Sequence, residues 1–243
     1  MCTVSYLPLP NGDFILTSNR DERSSRPDAI HPDQYTINNI QLIYPKDPLK
    51  GGTWICTSEH GKVLCLLNGA FKKHIPESCY SISRGQIIPD YFLYKDAVHF
   101  INEYSFKGIE PFTLIILEDR QLSEIRWNGI TSTISKPSAS KPHIWSSVTL
   151  YNEYAIFVRE SWFEKWLQTA KEYTQDNIIN FHHFGGEGNP YNDLLMCRND
   201  GMGTVSITSI LHKDQNIHLF YKDLKTNTIT SKPFAFNETQ MSV

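Results

Sequence analysis

The stretch TVSYLPLPNGDFILTSNRDE, residues 3–22, contains the features that decide the start of the fold. Two apolar runs, residues 3–7 and 14–18, flank a segment whose Asn11-Gly12 pair is typical of a hairpin turn. We therefore predict an antiparallel hairpin that begins almost at the N-terminus. Its second strand leads directly into Asn19-Arg20-Asp21-Glu22, so antiparallel pairing returns this polar cluster to the start of the chain.

A second hairpin is predicted from residues 53–57 and 62–67, and it ends at Asn68-Gly69. Cys56 and Cys65 stand symmetrically about its turn, where they can face each other across the two strands. A reduced pair in the protein core is the favoured interpretation, and a redox couple is the alternative.

The clearest helical spacing of apolar residues covers residues 152–173, and a second helix is predicted over residues 174–184, before Gly185-Gly186. Weaker helical patterns cover residues 83–92 and 95–104. Further short strands are predicted at residues 41–44, 112–118, 124–127, 130–134, 204–211, 217–221 and 228–231. Because strands and helices are grouped rather than alternating, the order predicts an α+β fold with mostly antiparallel sheets. No repeat or linker divides the sequence, so we predict one domain over residues 1–243.

The composition is typical of a soluble globular protein, with 40% hydrophobic and 20% charged residues. The net charge of -3 and the lack of a long Lys/Arg stripe argue against a nucleic-acid partner. No apolar run approaches the roughly 18 to 20 residues of a membrane span, and the first residues do not resemble a secretory signal. We therefore predict no membrane span and a cytoplasmic location. The five cysteines are too few and too unevenly spaced for a disulfide scaffold, which predicts reduced thiols.

Cys2 is the sharpest chemical feature of the sequence. Its small side chain permits removal of Met1, which leaves a thiol and a free α-amine on one residue. The reference pKa values of the two groups, about 7.7 to 8.0 for the amine and about 8.5 for the thiol, let the amine take the thiol proton near neutral pH. The alternative is a small apolar residue that opens an edge strand.

The cluster Asn19-Arg20-Asp21-Glu22 combines an amide, a guanidinium and two carboxylates close to that amine. A carboxylate can hold an amine by a charge-assisted hydrogen bond, and a guanidinium can stabilise a thiolate. A solvated turn after a strand is the alternative interpretation of such a cluster.

Other patterns predict neither a metal site nor a bound cofactor. No two cysteines have the two-residue gap of a zinc knuckle. His182 and His183 are adjacent on a predicted helix, so their side chains point about 100° apart. The glycine-rich residues 185–188 follow a helix, whereas a dinucleotide-binding loop follows a strand. Trp162 and Trp166 are expected to pack in the core along the longest helix.

Residues 1–70 contain an ordered set of short motifs. They are the Met-Cys start, Asn19-Arg20-Asp21-Glu22 with Arg26-Pro27, Gly51-Gly52-Thr53-Trp54, Gly61-Lys62 and Leu67-Asn68-Gly69, and Gly201-Met202-Gly203-Thr204 follows much later. In this order the motifs resemble the NRDE family of transport and Golgi organisation proteins. That family is in turn similar to the choloylglycine hydrolases and penicillin V acylases. The resemblance implies a four-layer αββα N-terminal-nucleophile hydrolase fold and cleavage of non-peptide C–N amide bonds.

The same resemblance implies roles for six residues. Cys2 would attack the acyl carbon, Asp21 would contact the terminal amine, and Asn68 would donate a hydrogen bond in the oxyanion hole. Asn19 and Arg20 would support the site, and the Ser147 hydroxyl would be a second oxyanion donor, in the place of an asparagine.

The hydrolases carry an arginine one residue before the Asn of this motif, where this chain has Ser18. We expect Arg20 to replace that charge by reaching from the opposite face of the strand.

Two functional hypotheses follow. The first is a cysteine N-terminal-nucleophile hydrolase that cleaves a small-molecule amide through an acyl-thioester. The second is a protein that keeps the same fold without the reaction and binds or carries a hydrophobic ligand, either haem or a lipid-derived acyl group, which is an implication of the resemblance.

Overall fold

Two antiparallel sheets form the centre of the fold in the computed structural model, which describes residues 3–235. Within this range the strands are β1 (Thr3–Pro8), β2 (Phe14–Arg23), β3 (Ile30–Ile37), β4 (Ile40–Lys46), β5 (Ile55–Ser58), β6 (Val63–Asn68), β7 (Phe112–Glu118), β8 (Gln121–Trp127), β9 (Ser132–Ser135), β10 (His143–Ser146), β11 (Met202–Lys213), β12 (Asn216–Asp223) and β13 (Ile229–Ala235). The first sheet has the order β10-β1-β2-β11-β12-β13, and the second sheet has the order β3-β4-β5-β6-β7-β8-β9.

The predicted first hairpin is confirmed. β1 and β2 pair from Pro8 opposite Phe14 to Thr3 opposite Asn19. The second strand is longer than expected, because β11 pairs with it as far as Arg23. Residues 19–22 therefore lie within a strand beside the start of β1, and the interpretation of this cluster as a solvated turn is wrong.

The second hairpin is also confirmed, as β5 and β6, but its two cysteines do not face each other. Cys56 pairs with Leu64, and Cys65 pairs with Ile55. Cys56 packs on the helix side of the second sheet, whereas Cys65 packs between the sheets. The register differs by one residue from the symmetric arrangement, and a shift of one residue moves a side chain to the opposite face.

Two edge strands are absent from the sequence-based prediction. β3 lies in a polar, proline-containing segment, and β10 is a four-residue strand that pairs with β1. Neither has an apolar pattern of its own, and each becomes a strand because a neighbouring strand offers free backbone groups. β10 places Ser146 opposite Thr3.

Four α-helices in the described range cover the outer faces of the sheets: α1 (Ile87–Tyr91), α2 (Ala97–Glu103), α3 (Glu153–Thr169) and α4 (Gln175–Phe184). α1 and α2 pack on the second sheet, and α3 and α4 pack on the first. α3 ends four residues before the predicted limit, whereas α4 ends at Phe184 as predicted.

Within residues 3–235, three of the four apolar clusters separate the layers. One lies between the sheets, one lies under α1 and α2, and one lies under α3 and α4. The layers therefore follow the order α, β, β, α, which confirms the α+β class and the four-layer architecture. No helix within residues 3–235 has both the length and the hydropathy that crossing a membrane requires.

Candidate active site

The NRDE sequence divides its side chains between the two faces of β2. Successive strand residues point to opposite faces, so Asn19 and Asp21 face α3 and α4. Arg20 and Glu22 face the second sheet. The motif therefore contributes to two different environments.

Arg20 is buried between the sheets. Its guanidinium lies 4.3 Å from the centroid of the Trp54 ring and 3.3 Å from the Asp47 carboxylate. Burial lowers the pKa of Arg20, and the charges of Glu22 and Asp47 oppose that shift. The Trp54 ring and the partly buried Asp47 carboxylate fix the direction of the guanidinium.

Ser18 lies on the same face of β2 as Arg20, where its hydroxyl hydrogen-bonds the Cys65 thiol. The expectation that Arg20 reaches from the face opposite to Ser18 is therefore wrong, because residues two apart in a strand share a face.

Asp47 follows β4 and organises the cations at this end of the sheets. It accepts hydrogen bonds from Arg26 Nη2 at 2.8 Å and from the backbone N–H groups of Leu49 and Lys50 at 2.9 and 3.0 Å. Burial alone would raise the pKa of Asp47, but these bonds and the Arg26 charge lower it below its ordinary value. Asp47 is therefore a charged anchor for Arg20 and Arg26.

A cavity of about 710 Å³ opens beside Arg20, and Trp54 and Asn68 line it together with residues 77–86. Gly52, Thr53 and Trp54 of the Gly51-Gly52-Thr53-Trp54 motif form part of its wall. A Cβ atom on Gly52 would lie 2.4 Å from the backbone of Gly85, and the Thr53 N–H donates to the Gly85 carbonyl at 2.9 Å. Glycine is needed at position 52 because two backbones meet there.

Asn68, at the end of β6, lines the same cavity. Among the described residues its side-chain amide makes no hydrogen bond, so both amide hydrogens are open to a ligand. Its backbone carbonyl accepts the Ser147 hydroxyl at 2.8 Å, and the same hydroxyl lies 2.9 Å from Thr149 Oγ1. The structure thus brings Asn68 and Ser147 into contact.

Gly69 allows the 147–151 segment to pack against Asn68. It has φ +84, and a Cβ atom there would lie 2.6 Å from Val148 Cγ2 and 2.8 Å from Thr149 Cγ2. The segment continues as a turn in which the Tyr151 N–H donates to the Ser147 carbonyl at 3.1 Å. This turn connects the Asn68 side of the site to Asp21.

Asp21 is buried and accepts two side-chain hydroxyls. Tyr151 donates its phenolic hydroxyl to Oδ2, and Thr204 donates to Oδ1 at 2.5 Å. Thr204 belongs to the Gly201–Thr204 motif and stands opposite Asp21 in β11. Thr204 of the Gly201–Thr204 motif therefore holds the carboxylate of Asp21 in the NRDE motif.

Asn19 is fully buried and joins β2 to α4. Its amide donates to the carbonyls of His182 and Leu194 at 3.1 and 2.7 Å, and its oxygen lies 2.8 Å from His182 Nδ1. His182 Nε2 lies 2.7 Å from Ser5 Oγ. Burial, followed by the Arg159 charge, lowers the pKa of His182 to about 3, so the imidazole is neutral and Nδ1–H donates to Asn19. Asn19 thus contacts the helix layer, and its role in supporting the site stays a prediction.

Arg159, which is not among the residues predicted from the sequence, is the largest fully buried side chain described. It lies on α3 between Ala155 and Phe163, and these three residues form the buried row of that helix. The sequence feature that could have indicated its burial is its spacing, because Arg159 lies four residues from each of Ala155 and Phe163 on the apolar face of the helix. Its guanidinium lies 3.5 Å from the centroid of the Tyr151 ring.

The predicted nucleophile Cys2 lies outside the described residues. Of the other five predicted residues, Asn19, Arg20 and Asp21 lie at the end of β2 that pairs with Thr3. Asn68 and Ser147 are linked to Asp21 by the 147–151 turn, through Tyr151. Asn19 and Asp21 point to the helix layer, Arg20 points to the cavity, and Asn68 and Ser147 contact each other. Within residues 3–235 no group of three or more His, Cys, Asp and Glu side chains is placed to hold a metal ion.

The fold resembles that of solved hydrolase structures. A variant of conjugated bile acid hydrolase from Clostridium perfringens is 11% identical, with a TM-score of 0.53 over 100% of this chain and 99% of that chain. A mutant of the same hydrolase is 10% identical, with a TM-score of 0.51 over 98% of each chain. The Caenorhabditis elegans ortholog of N-acylethanolamine-hydrolyzing acid amidase is 11% identical, with a TM-score of 0.49 over 86% of this chain and 92% of that chain.

The two hydrolase structures show that this chain has the N-terminal-nucleophile hydrolase fold. The model of the Transport and Golgi organisation 2 family matches residues 1–220, so the chain belongs to that family. The family expected from the NRDE motifs is therefore confirmed. No curated protein gives a significant match to the sequence.

Proposed function

We propose that this protein is a cysteine N-terminal-nucleophile hydrolase that cleaves a non-peptide C–N amide bond of a small molecule. The observation that carries the proposal is the Asn68 amide, which lines a cavity of about 710 Å³ and makes no hydrogen bond within the described residues. An amide donor held beside a cavity is what an oxyanion hole requires.

Cys2 is the proposed nucleophile, after removal of Met1. Its α-amine takes the thiol proton, and the sulfur attacks the carbonyl carbon of the substrate amide. The C–N bond then breaks, and the amine product leaves with the proton that the α-amine held. Water attacks the resulting acyl-thioester, releases the carboxylic acid and returns the proton to the cysteine.

Asn68 is the proposed donor to the negative oxygen that forms during both attacks. Removal of one such donor in a preorganised site costs about 2.7 to 4 kcal/mol of transition-state stabilisation. The Ser147 hydroxyl can be the second donor only if it gives up the Asn68 carbonyl, which it now contacts at 2.8 Å. The contact supports a role for Ser147 in orienting Asn68.

Asp21 is the proposed partner of the α-amine. Its carboxylate is fixed by Tyr151 and Thr204, and a carboxylate oxygen can accept more than one hydrogen bond. Asp21 stands two residues from Asn19, which pairs with Thr3, the residue joined to Cys2. Arg20 supports the cavity side through Trp54 and Asp47.

The second hypothesis, a carrier of haem or a lipid-derived acyl group, has no observation in its favour. The cavity wall includes the charged side chains of Arg20, Glu22, Arg26, Asp47 and Arg84. A wall of this kind is suited to a polar substrate, because burying these charges against an apolar ligand would be costly.

The test begins with the intact mass of the purified full chain. We expect a mass lower by one methionine residue than the encoded mass. If Met1 is retained, Cys2 has an acylated nitrogen that cannot act as a base, and the proposed mechanism is wrong.

Turnover of an amide library by the wild-type chain and by Cys2→Ala then tests the nucleophile. We expect Cys2→Ala to lose all turnover, and full activity in that variant would exclude the proposal. Cys79 lines the same cavity and Cys197 is exposed, so covalent labelling needs a Cys79→Ser/Cys197→Ser background. In that background Cys56 and Cys65 are buried, and Cys2 is the expected site of labelling by a thiol-reactive acyl analogue.

A further inference from the structure

A second cavity, of about 530 Å³, opens next to the 147–151 turn. Its walls come from residues 71–73 after β6, from residues 148–156 at the turn and the start of α3, and from Asn192 and Arg198 before β11. It shares no lining residue with the cavity beside Asn68. Its volume lies within the range of about 300 to 1,000 Å³ that is usual for small-molecule sites. The proposed amide hydrolysis makes no use of this space.

The cations of the second cavity outnumber its carboxylates. Lys72, Lys73 and Arg198 line it, and within residues 3–235 none of the three forms an ion pair. Glu153 is the only carboxylate among the described lining residues, so the wall has an excess of two positive charges. The described cations and carboxylates around the cavity beside Asn68 are equal in number. The second cavity is therefore the one that attracts an anion.

Arg198 is held in an orientation that leaves donors open. Its Nη2 donates to the Leu150 carbonyl at 3.0 Å, and its guanidinium lies 5.5 Å from the centroid of the Tyr151 ring. Within residues 3–235 neither Nε nor Nη1 makes a hydrogen bond, so both can donate to a ligand. A guanidinium presents such donors in a planar fork that matches two oxygens of one anionic group. Lys72 and Lys73 are exposed and add mobile point charges beside this fork.

Another part of the wall is apolar. Leu150 and Ile156 are half-buried there and pack on the apolar cluster that contains Tyr151. Phe71 also lines the cavity and is 53% exposed, and the Arg126 guanidinium lies 5.2 Å from the centroid of its ring. A ligand that covers these side chains removes apolar surface from water. The cavity therefore suits a molecule that joins an anionic group to an apolar body.

We propose that the second cavity binds an organic phosphate monoester, with the phosphate on Lys72, Lys73 and Arg198 and the apolar body against Leu150 and Ile156. A phosphate monoester carries a charge of about −1.5 to −2 at neutral pH, which nearly cancels the excess charge of the wall. A carboxylate carries one negative charge and has two acceptor oxygens instead of three. The proposal goes beyond amide hydrolysis and does not depend on it.

The first experiment measures affinities by isothermal titration calorimetry of the full chain with hexyl phosphate, inorganic phosphate and hexanoate. It is done at low ionic strength, because salt screens exposed charges. We expect hexyl phosphate to bind about 10-fold or more tightly than either of the others. Equal affinity for hexanoate would overturn the choice of phosphate, and equal affinity for inorganic phosphate would overturn the role of the apolar wall. Absence of hexyl phosphate binding would overturn the site itself.

The second experiment removes the charges. Both lysines of Lys72→Gln/Lys73→Gln are exposed, so this double variant should fold as the wild type does. We expect it to bind hexyl phosphate about 10-fold or more weakly. Lys95→Gln is the matched control, because Lys95 is exposed and lines neither cavity, and it should keep the wild-type affinity. Wild-type affinity in the double variant, or an equal loss in Lys95→Gln, would overturn the proposed phosphate contacts.

The third experiment removes part of the apolar wall. Ile156→Ala shortens one half-buried side chain and keeps all the charges of the cavity. We expect it to weaken hexyl phosphate binding about 3-fold or more and to leave inorganic phosphate binding unchanged. Equal changes for the two ligands would overturn the assignment of the apolar body to this wall.

A phosphate monoester can also be the headgroup of a lipid. The apolar body of a lipid stays in the bilayer and cannot cover Leu150 and Ile156, so we expect a soluble ligand. Sedimentation of the full chain with phosphatidylcholine vesicles that contain about 20% phosphatidic acid tests this expectation. We expect the chain to remain in the supernatant. Sedimentation that Lys72→Gln/Lys73→Gln abolishes would overturn the soluble ligand and assign the phosphate to a lipid.

Discussion

The Ser147 hydroxyl donates a hydrogen bond of 2.8 Å to the backbone carbonyl of Asn68. This contact joins the residue after β10 to the last residue of β6, so it links the two sheets at the cavity. The 147–151 turn then continues to Tyr151 and Asp21. The position of the proposed oxyanion donor and that of the proposed amine partner are therefore set by one short segment.

Replacement of Asn68 by Ala should remove the proposed oxyanion donor. We expect kcat to fall by a factor of about 100 or more, with little change in KM, because the lost bond forms only in the transition state. Steady-state kinetics on the cleaved amide measures both constants. Ser147→Ala is the matched control, because it keeps the Asn68 amide and should cost less. An unaltered kcat in Asn68→Ala would remove Asn68 from the mechanism.

Gly69→Ala should destabilise the protein by more than Gly188→Ala does. Both glycines have φ +84, so each substitution carries the same backbone strain of about 1 to 2 kcal/mol. A Cβ at position 69 also meets Val148 and Thr149, whereas nothing lies within 4 Å at position 188. We expect roughly 1 to 3 kcal/mol more loss in the free energy of unfolding for Gly69→Ala. Urea denaturation of the two variants gives the comparison, and equal losses would contradict the packing described for the 147–151 turn.

Acid should destabilise the fold through His182. Its pKa is lowered to about 3 in the folded state, so the unfolded chain takes up a proton near its ordinary value of 6.5 while the folded chain does not. Stability should therefore fall as the pH drops from about 6.5 towards 3, by up to roughly 1.4 kcal/mol per pH unit from this one group.

The variant His182→Gln tests this assignment. It should be less stable at pH 7, since the bonds to Asn19 and Ser5 are disturbed, but its stability should depend less on pH in that window. Urea denaturation at several pH values gives the slope of the unfolding free energy against pH. The exposed His99→Gln serves as the control and should keep the wild-type slope because His182 remains. A wild-type slope in His182→Gln would show that another group is responsible.

Asp47→Asn should weaken the anchor of Arg20 and Arg26. We expect a loss of about 1 to 3 kcal/mol at neutral pH, because a charged acceptor of several hydrogen bonds is replaced by a neutral one. The pKa of Asp47 is lowered in the folded state, so its contribution is complete above the ordinary carboxyl value and is lost as the pH falls through the lower folded value. The difference between wild type and variant should therefore shrink in strong acid. Asp33→Asn, at an exposed position, should have little effect at any pH.

Much of the fold could be predicted from local patterns. The Asn11-Gly12 turn with its flanking apolar runs defined the first hairpin, and the apolar spacing of residues 152–184 defined two helices. These features depend on residues close in sequence, whose backbone preferences act without distant partners. β3 and β10 could not be found in this way, since their polar segments become strands only when a neighbouring strand pairs with them.

The sequence by itself determined which residue types are available: a cysteine at position 2, the NRDE cluster on the strand that pairs with β1, and Asn68 at the end of the second hairpin. Only the tertiary structure decided how they are divided. In the folded chain Asp21 contacts Tyr151 and Thr204. Arg20 contacts Trp54 and Asp47. Arg159 of α3 bonds Thr3. The physical reason is that strand alternation fixes only which residues share a face, whereas the partner on each face is chosen by the packing of layers that are distant in the chain.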